Sequence, residues 1–184
     1  GSKARSDTAL LMPMPVSRTI GSTQAPARSG GRDSPSGSDT GREHTVICTG
    51  VPPEYVGTIE TYVQSLGTGR ASLTMVREGA DGAPDAATLA ASITGETACV
   101  VVAYPTFLGC VGDLRKVAEV AHAKGALLVT VTTEPYALAL IEPPGAVGAD
   151  IAVGEGQALG LPPLCGGPGV GLFACRNDRK YLQQ

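Results

Sequence analysis

Two nearly uninterrupted apolar runs constrain this chain most: TACVVVAY at residues 97–104 and ALLVTVT at residues 126–132. A half-buried strand alternates polar and apolar side chains. A strand that is apolar at almost every position has to be covered on both faces. Between the two runs, Leu114, Val117, Ala118 and Ala121 form a helical stripe, with Asp113 placed to cap its start and Lys124-Gly125 placed to end it. Strand, helix, strand in this order predicts a parallel pair joined by a crossover helix.

The same alternation extends outward. TVICTG (45–50) and ASLTMV (71–76) read as strands, and DIAVG (150–154) and GVGLFAC (169–175) as two more. Pro52 and Pro53 open a helix whose apolar face holds Tyr55, Ile59, Tyr62, Val63 and Leu66, ended by Gly67. Asp85 is placed to cap a short helix carrying Leu89 and Ile93. The segment EPYALALIEPPGAVGA reads as irregular, proline-rich and helical. The predicted fold is α/β, a mostly parallel sheet with helices on both faces. Residues 1–43 differ: GSTQAPARSGGRDSPSGSDTGR has almost nothing apolar, so this polar tract is expected to be disordered or loosely attached, with the folded core at 44–184.

In parallel sheets ligands lie beyond the carboxyl ends of the strands. Three loops leave those ends: YPTFLGC (104–110), TEPYA (133–137) and GEGQALG (154–160). Gly154, Gly156 and Gly160 are spaced G-x-G-x-x-x-G, one residue too long for a dinucleotide fingerprint, and Glu155 would repel a pyrophosphate. They read as turn glycines. His44 stands at the edge of the polar tract and His122 within a helix, so a Ser or Cys nucleophile lacks its base. Lys3, Lys116, Lys124 and Lys180 all lie away from the strand-end loops, so none is placed for Schiff-base chemistry. Glu134 and Glu155 follow buried strands and read as edge-of-site carboxylates, as solvated loop charges or as partners of a helix N-terminus.

Composition removes further classes. Net charge is −3 and no Lys/Arg cluster follows residue 45, which argues against nucleic acid. No run reaches the length of a membrane span. Five cysteines without a CxxC pair support neither a disulfide framework nor a zinc site and fit a reducing, cytoplasmic setting. No metal site is expected.

The blocks VVAYPTFLGCVGDLRKVAEVAHAKGALLVTV and PPGAVGADIAVGEGQALGLPPLCGGPGVGLFACR together resemble the glycine-cleavage P-protein, and within it subunit 1, the amino-terminal half of glycine dehydrogenase (decarboxylating). The resemblance is dense from about Ala98 to Gln184 and looser back to His44. It implies the large domain of the aspartate-aminotransferase-type fold (PLP fold type I), here truncated, because the family continues into a carboxy-terminal domain and carries a longer amino-terminal segment. It implies an enzyme that decarboxylates glycine and passes the aminomethyl group to the lipoyl group of H-protein. Pyridoxal phosphate and its lysine belong to subunit 2 and none to this chain; Gln157 stands at the position of the Schiff-base lysine, and Glu134 near that of the Asp that holds the pyridine nitrogen. Pro105, Phe107, Gly109, Glu134, Glu155, Gln157, Gly166 and Gly167 are then candidates for an active-site edge or an interface with subunit 2. A truncated large domain should also leave an apolar patch uncovered. The other reading is a catalytically inactive structural remnant with no activity of its own.

Overall fold

A computed structural model describes residues 42–65, 72–162 and 169–177. Its strands are β1 (His44–Cys48), β2 (Ser72–Val76), β3 (Thr97–Ala103), β4 (Leu127–Thr132), β5 (Ile151–Glu155) and β6 (Gly171–Cys175). The helices are α1 (Pro53–Ser65), α2 (Ala86–Ser92) and α3 (Leu114–Ala123). Strand order in the single sheet is β2-β1-β3-β4-β5-β6. The first five strands pair in parallel and β6 runs antiparallel to β5, with Ile151 opposite Cys175.

The unbroken apolar runs are buried on both faces, as expected. Val46, Val100, Val102 and Leu128 face Leu89 of α2 and Leu114, Val117 and Ala121 of α3. Ile47, Val101, Val129, Val131 and Val153 face the opposite way, against Ile59 of α1. Each fully buried Val, Leu or Ile stabilises the fold by about 1.5–3 kcal/mol. Tyr55 and Val63 extend the α1 stripe. Tyr62, one position round the helix from Val63, is 41% exposed and leaves it; Leu66 and Gly67 lie outside the described residues.

Asp85 caps α2 by accepting from the Thr88 N–H at 2.8 Å. Asp113 occupies the corresponding position of α3 but closes no cap hydrogen bond; its carboxylate lies 3.3 Å from Lys116 Nζ instead. The proline-rich segment after β4 forms a 3₁₀ helix at Pro135–Ala139 and then a run of turns in which the Pro143 carbonyl accepts from the Ala146 N–H at 2.9 Å and the Pro144 carbonyl from the Ala149 N–H at 3.0 Å.

The amino-terminal edge of the sheet is held by polar ties. His44 is the first residue of β1, and both its ring nitrogens lie 2.9 Å from hydroxyls, those of Thr97 and Thr74. Arg42 donates to the carbonyls of Lys124 (2.8 Å) and Thr97 (3.2 Å), satisfying the end of α3. Asp150, 2% exposed, accepts from the Leu128 N–H at 2.8 Å, and its carboxylate lies 2.7 Å from His122 Nε2 and 3.3 Å from Arg176 Nε. Both histidines therefore serve packing and edge closure, far from the carboxyl ends.

Candidate active-site edge

The order β2-β1-β3 places the topological switch point between β1 and β3, where sheets of this kind hold ligands. Three loops meet there. The Phe107 N–H donates to the Gly50 carbonyl at 2.8 Å, and the Thr49 hydroxyl donates to the Glu78 carboxylate after β2. Gly50 is a glycine because of this closeness: a Cβ would lie 2.9 Å from Thr106 Cγ2 and 3.0 Å from Glu78 Oε1. Thr106 is buried and closes its own loop, its N–H donating to the Cys110 carbonyl at 2.9 Å and its hydroxyl accepting from the Cys110 N–H at 3.1 Å. The Tyr104–Pro105 peptide in this loop is cis, and Gly109 has φ +82°. Thr49, Gly50, Glu78 and Thr106 escaped the sequence reading, because their meeting depends on strand order.

The other candidates lie along the same edge. After β4, Glu134 accepts from the Tyr136 N–H at 3.1 Å; at the last position of β5, Glu155 accepts from the Gln157 N–H at 2.9 Å. Each glutamate thus opens a 3₁₀ turn, Pro135–Ala139 and Gln157–Leu159. The Tyr136 hydroxyl donates to the Ala158 carbonyl at 3.0 Å and ties the two turns together. Burial raises the Tyr55 phenol above its ordinary range, and the charges of Glu155 and Glu54 push it further the same way. Phe107 is exposed; Pro105 and Gln157 are half-buried. Gly166 and Gly167 lie outside the described residues.

The three glycines of GEGQALG have three different reasons. Gly154 lies inside β5, where a Cβ would collide with the Thr132 carbonyl of β4. Gly156 is enclosed by Val170 and Leu172, each 3.0 Å from where a Cβ would stand. Only Gly160, at φ +132°, is a turn glycine in the conformational sense.

No group of three or more His, Cys, Asp or Glu able to hold a metal occurs among the described residues. No described helix is long and apolar enough to cross a membrane. Cys48 and Cys99 are buried free thiols, and burial pushes that of Cys99 up to about 11.

A parallel sheet of this order with one antiparallel strand, covered on both faces and carrying its open loops at the carboxyl edge, is the large domain of PLP fold type I. A solved glycine decarboxylase (P-protein) of the glycine cleavage system, in inhibitor-bound form, superposes on it with a TM-score of 0.66 at 38% identity, over 78% of this chain and 30% of that one.

The glycine cleavage system P-protein family matches residues 36–183, and the chain belongs to it. A probable glycine dehydrogenase (decarboxylating) subunit 1 of Sorangium cellulosum is 68% identical over 145 residues, covering 79% of this chain and 32% of the relative. One from Novosphingobium aromaticivorans is 47% identical over 152 residues, covering 80% and 32%. The chain therefore spans about a third of the length of the curated relatives it matches.

Proposed function

We propose that this chain is a portion of the non-cofactor subunit of glycine dehydrogenase (decarboxylating). In this reading the assembled enzyme decarboxylates glycine and transfers the aminomethyl group to the lipoyl group of H-protein. What carries it is Gln157: a strand and a 3₁₀ turn stand where the resemblance puts the lysine loop, and the residue that the resemblance sets at the lysine position bears no amine.

The rest of the edge fits that absence. Pyridoxal phosphate needs a lysine, a partner for its ring nitrogen and donors for its phosphate. Glu134 spends a carboxylate oxygen on the Tyr136 N–H, and at the switch point the Thr106 side chain and the Glu78 carboxylate lie close against Gly50. No Lys, Arg or His lies in the loops after β3, β4 and β5 up to residue 162. These residues do not suit the cofactor, so the reading places it on subunit 2, with this chain contributing the facing wall at Pro105, Phe107, Gly109, Glu134, Glu155, Gln157, Gly166 and Gly167. The compartment in this reading is the cytoplasm.

The test combines the chain with subunit 2 and lipoylated H-protein and measures exchange of labelled carbon dioxide into glycine. Co-elution with subunit 2 and a higher exchange rate than subunit 2 alone support the proposal. Separate elution with an unchanged rate leaves the catalytically inactive remnant as the correct description.

A further inference from the structure

β6 ends one side of the sheet, and among the described residues only β5 pairs with it. The bonds that flank this ladder tell which backbone groups of β6 are spent. The Arg176 N–H donates to the Asp150 carbonyl at 2.9 Å, and the Gly156 N–H to the Val170 carbonyl at 2.6 Å. Between them the register is unbroken, from Ile151 opposite Cys175 to Glu155 opposite Gly171. In an antiparallel ladder every second opposed pair exchanges both bonds. Leu172 and Ala174 therefore bond to β5. The N–H and C=O groups of Gly171, Phe173 and Cys175 point to the outer edge, where they have no partner among the described residues.

An edge of this kind is a template for another strand unless charge, proline, a bulge or a covering segment blunts it. Residues 169–175, GVGLFAC, hold no charged residue and no proline, and the ladder has no bulge. All five residues of β6 are only partly buried, whereas β3 is enclosed along its whole length.

The outward set is its own complement. Gly171 and Cys175 stand at equal spacing on either side of Phe173. A second β6 laid antiparallel across a two-fold axis at Phe173 sets Gly171 of each copy opposite Cys175 of the other, and Phe173 opposite Phe173. Every outward donor then meets an outward acceptor in an isologous contact. Opposed residues share a face. Phe173 packs on the face that holds Val153 and Ile151, so the two rings come side by side there. A strand of unrelated sequence would make the backbone bonds without this aromatic pair.

We infer that β6 is a dimerisation strand, through which two copies of this chain join edge to edge in one continuous sheet. The contact runs along the side of the sheet and leaves the loops after β3, β4 and β5 open. It therefore does not rest on the function proposed above. A single pair of short strands makes a small interface, so the dimer is reversible and depends on concentration.

The test uses the full chain. Sedimentation over a hundredfold range of concentration should show a monomer–dimer equilibrium. Amide hydrogen exchange followed by NMR should slow severalfold at Phe173 and Cys175 as the dimer fills, with Leu172 and Ala174 slow throughout. Cys175→Pro removes an outward N–H, the place where an edge strand tolerates proline. It should keep the circular dichroism of the parent and raise the dimer dissociation constant about tenfold or more. Should the variant misfold, the exchange pattern of the parent decides alone. A monomer at every concentration overturns the inference. So does a dimer whose Phe173 and Cys175 amides still exchange fast, which would put the contact on other exposed side chains such as Phe107, Leu108 and Leu140. Protection of the two amides at every concentration also overturns it, since the cover would then come from the same molecule.

Discussion

The Nε2 atom of His122 lies 2.7 Å from Oδ2 of Asp150, a residue 28 positions later and almost wholly enclosed. The same oxygen accepts from the Leu128 N–H, and the other faces Arg176 Nε at 3.3 Å. One carboxylate thereby joins α3, β4, β5 and the residue after β6. It locks the antiparallel edge strand to the parallel sheet.

Removing this carboxylate leaves a buried N–H without an acceptor and a guanidinium without its anion. Asp150→Ala is expected to lower the unfolding free energy by about 3 kcal/mol. His122→Ala leaves Leu128 and Arg176 in place and should lower it by about 1 kcal/mol. Urea unfolding of both variants checks the ranking. Equal losses would mean that Asp150 acts only through the histidine.

Two glycines should respond to alanine with opposite sign. Gly57 lies in α1 with nothing within 4 Å of a Cβ, so Gly57→Ala should stabilise the chain by about 0.5–1 kcal/mol through the helix backbone. Gly154→Ala drives a methyl group into the Thr132 carbonyl, and the β4–β5 ladder has to open; the expected loss is about 2–3 kcal/mol. Thermal unfolding of the pair against the parent chain reads both signs at once.

Asp85 gives an acid-side prediction. Bonds from the Thr88 hydroxyl and then the Thr88 N–H hold its carboxyl below the ordinary value of 3.8. A depressed folded value means that the stabilisation is fully present above the unfolded value and is lost as pH falls through the folded one. The stability gap between the parent and Asp85→Ala should therefore be constant from neutral pH down to about 5 and shrink below 4. Unfolding midpoints measured from pH 3 to 7 test this, and a gap that widens on acidification would contradict it.

The elements were legible in the sequence wherever periodicity or an unbroken apolar run spoke alone: β3, α3 and β4 stand where those patterns put them. The direction of β6 was not, because GLFAC has the same composition read either way and only its pairing with β5 reveals it. Tyr62 shows the limit of a helical stripe, since an aromatic at its margin can turn to solvent. At the edge, Glu134 and Glu155 are legible from their places at the ends of buried strands, although Glu155 is the last residue of β5 and does not follow it. That each accepts from the N–H two residues on, at the start of a 3₁₀ turn, needed the backbone geometry. Thr49, Glu78 and Thr106 converge from three separate loops, and no local pattern announces a convergence of that kind.

The last prediction concerns Gln157. Introducing an amine by Gln157→Lys should not by itself let this chain take up pyridoxal phosphate. The new side chain would rise from a turn whose N–H is already held by Glu155, beside a carboxylate that favours the protonated and therefore non-nucleophilic form. No Lys, Arg or His stands in the loops after β3, β4 and β5 up to residue 162 to meet a phosphate, and the Glu78 carboxylate lies close against Gly50 at the switch point. Incubation with pyridoxal phosphate, borohydride reduction and peptide mapping should give no covalent addition at residue 157 above that at Lys116 and Lys124. These two helix lysines serve as internal controls for nonspecific labelling. Selective addition at 157 would show that the edge offers a usable cofactor cradle once an amine is supplied.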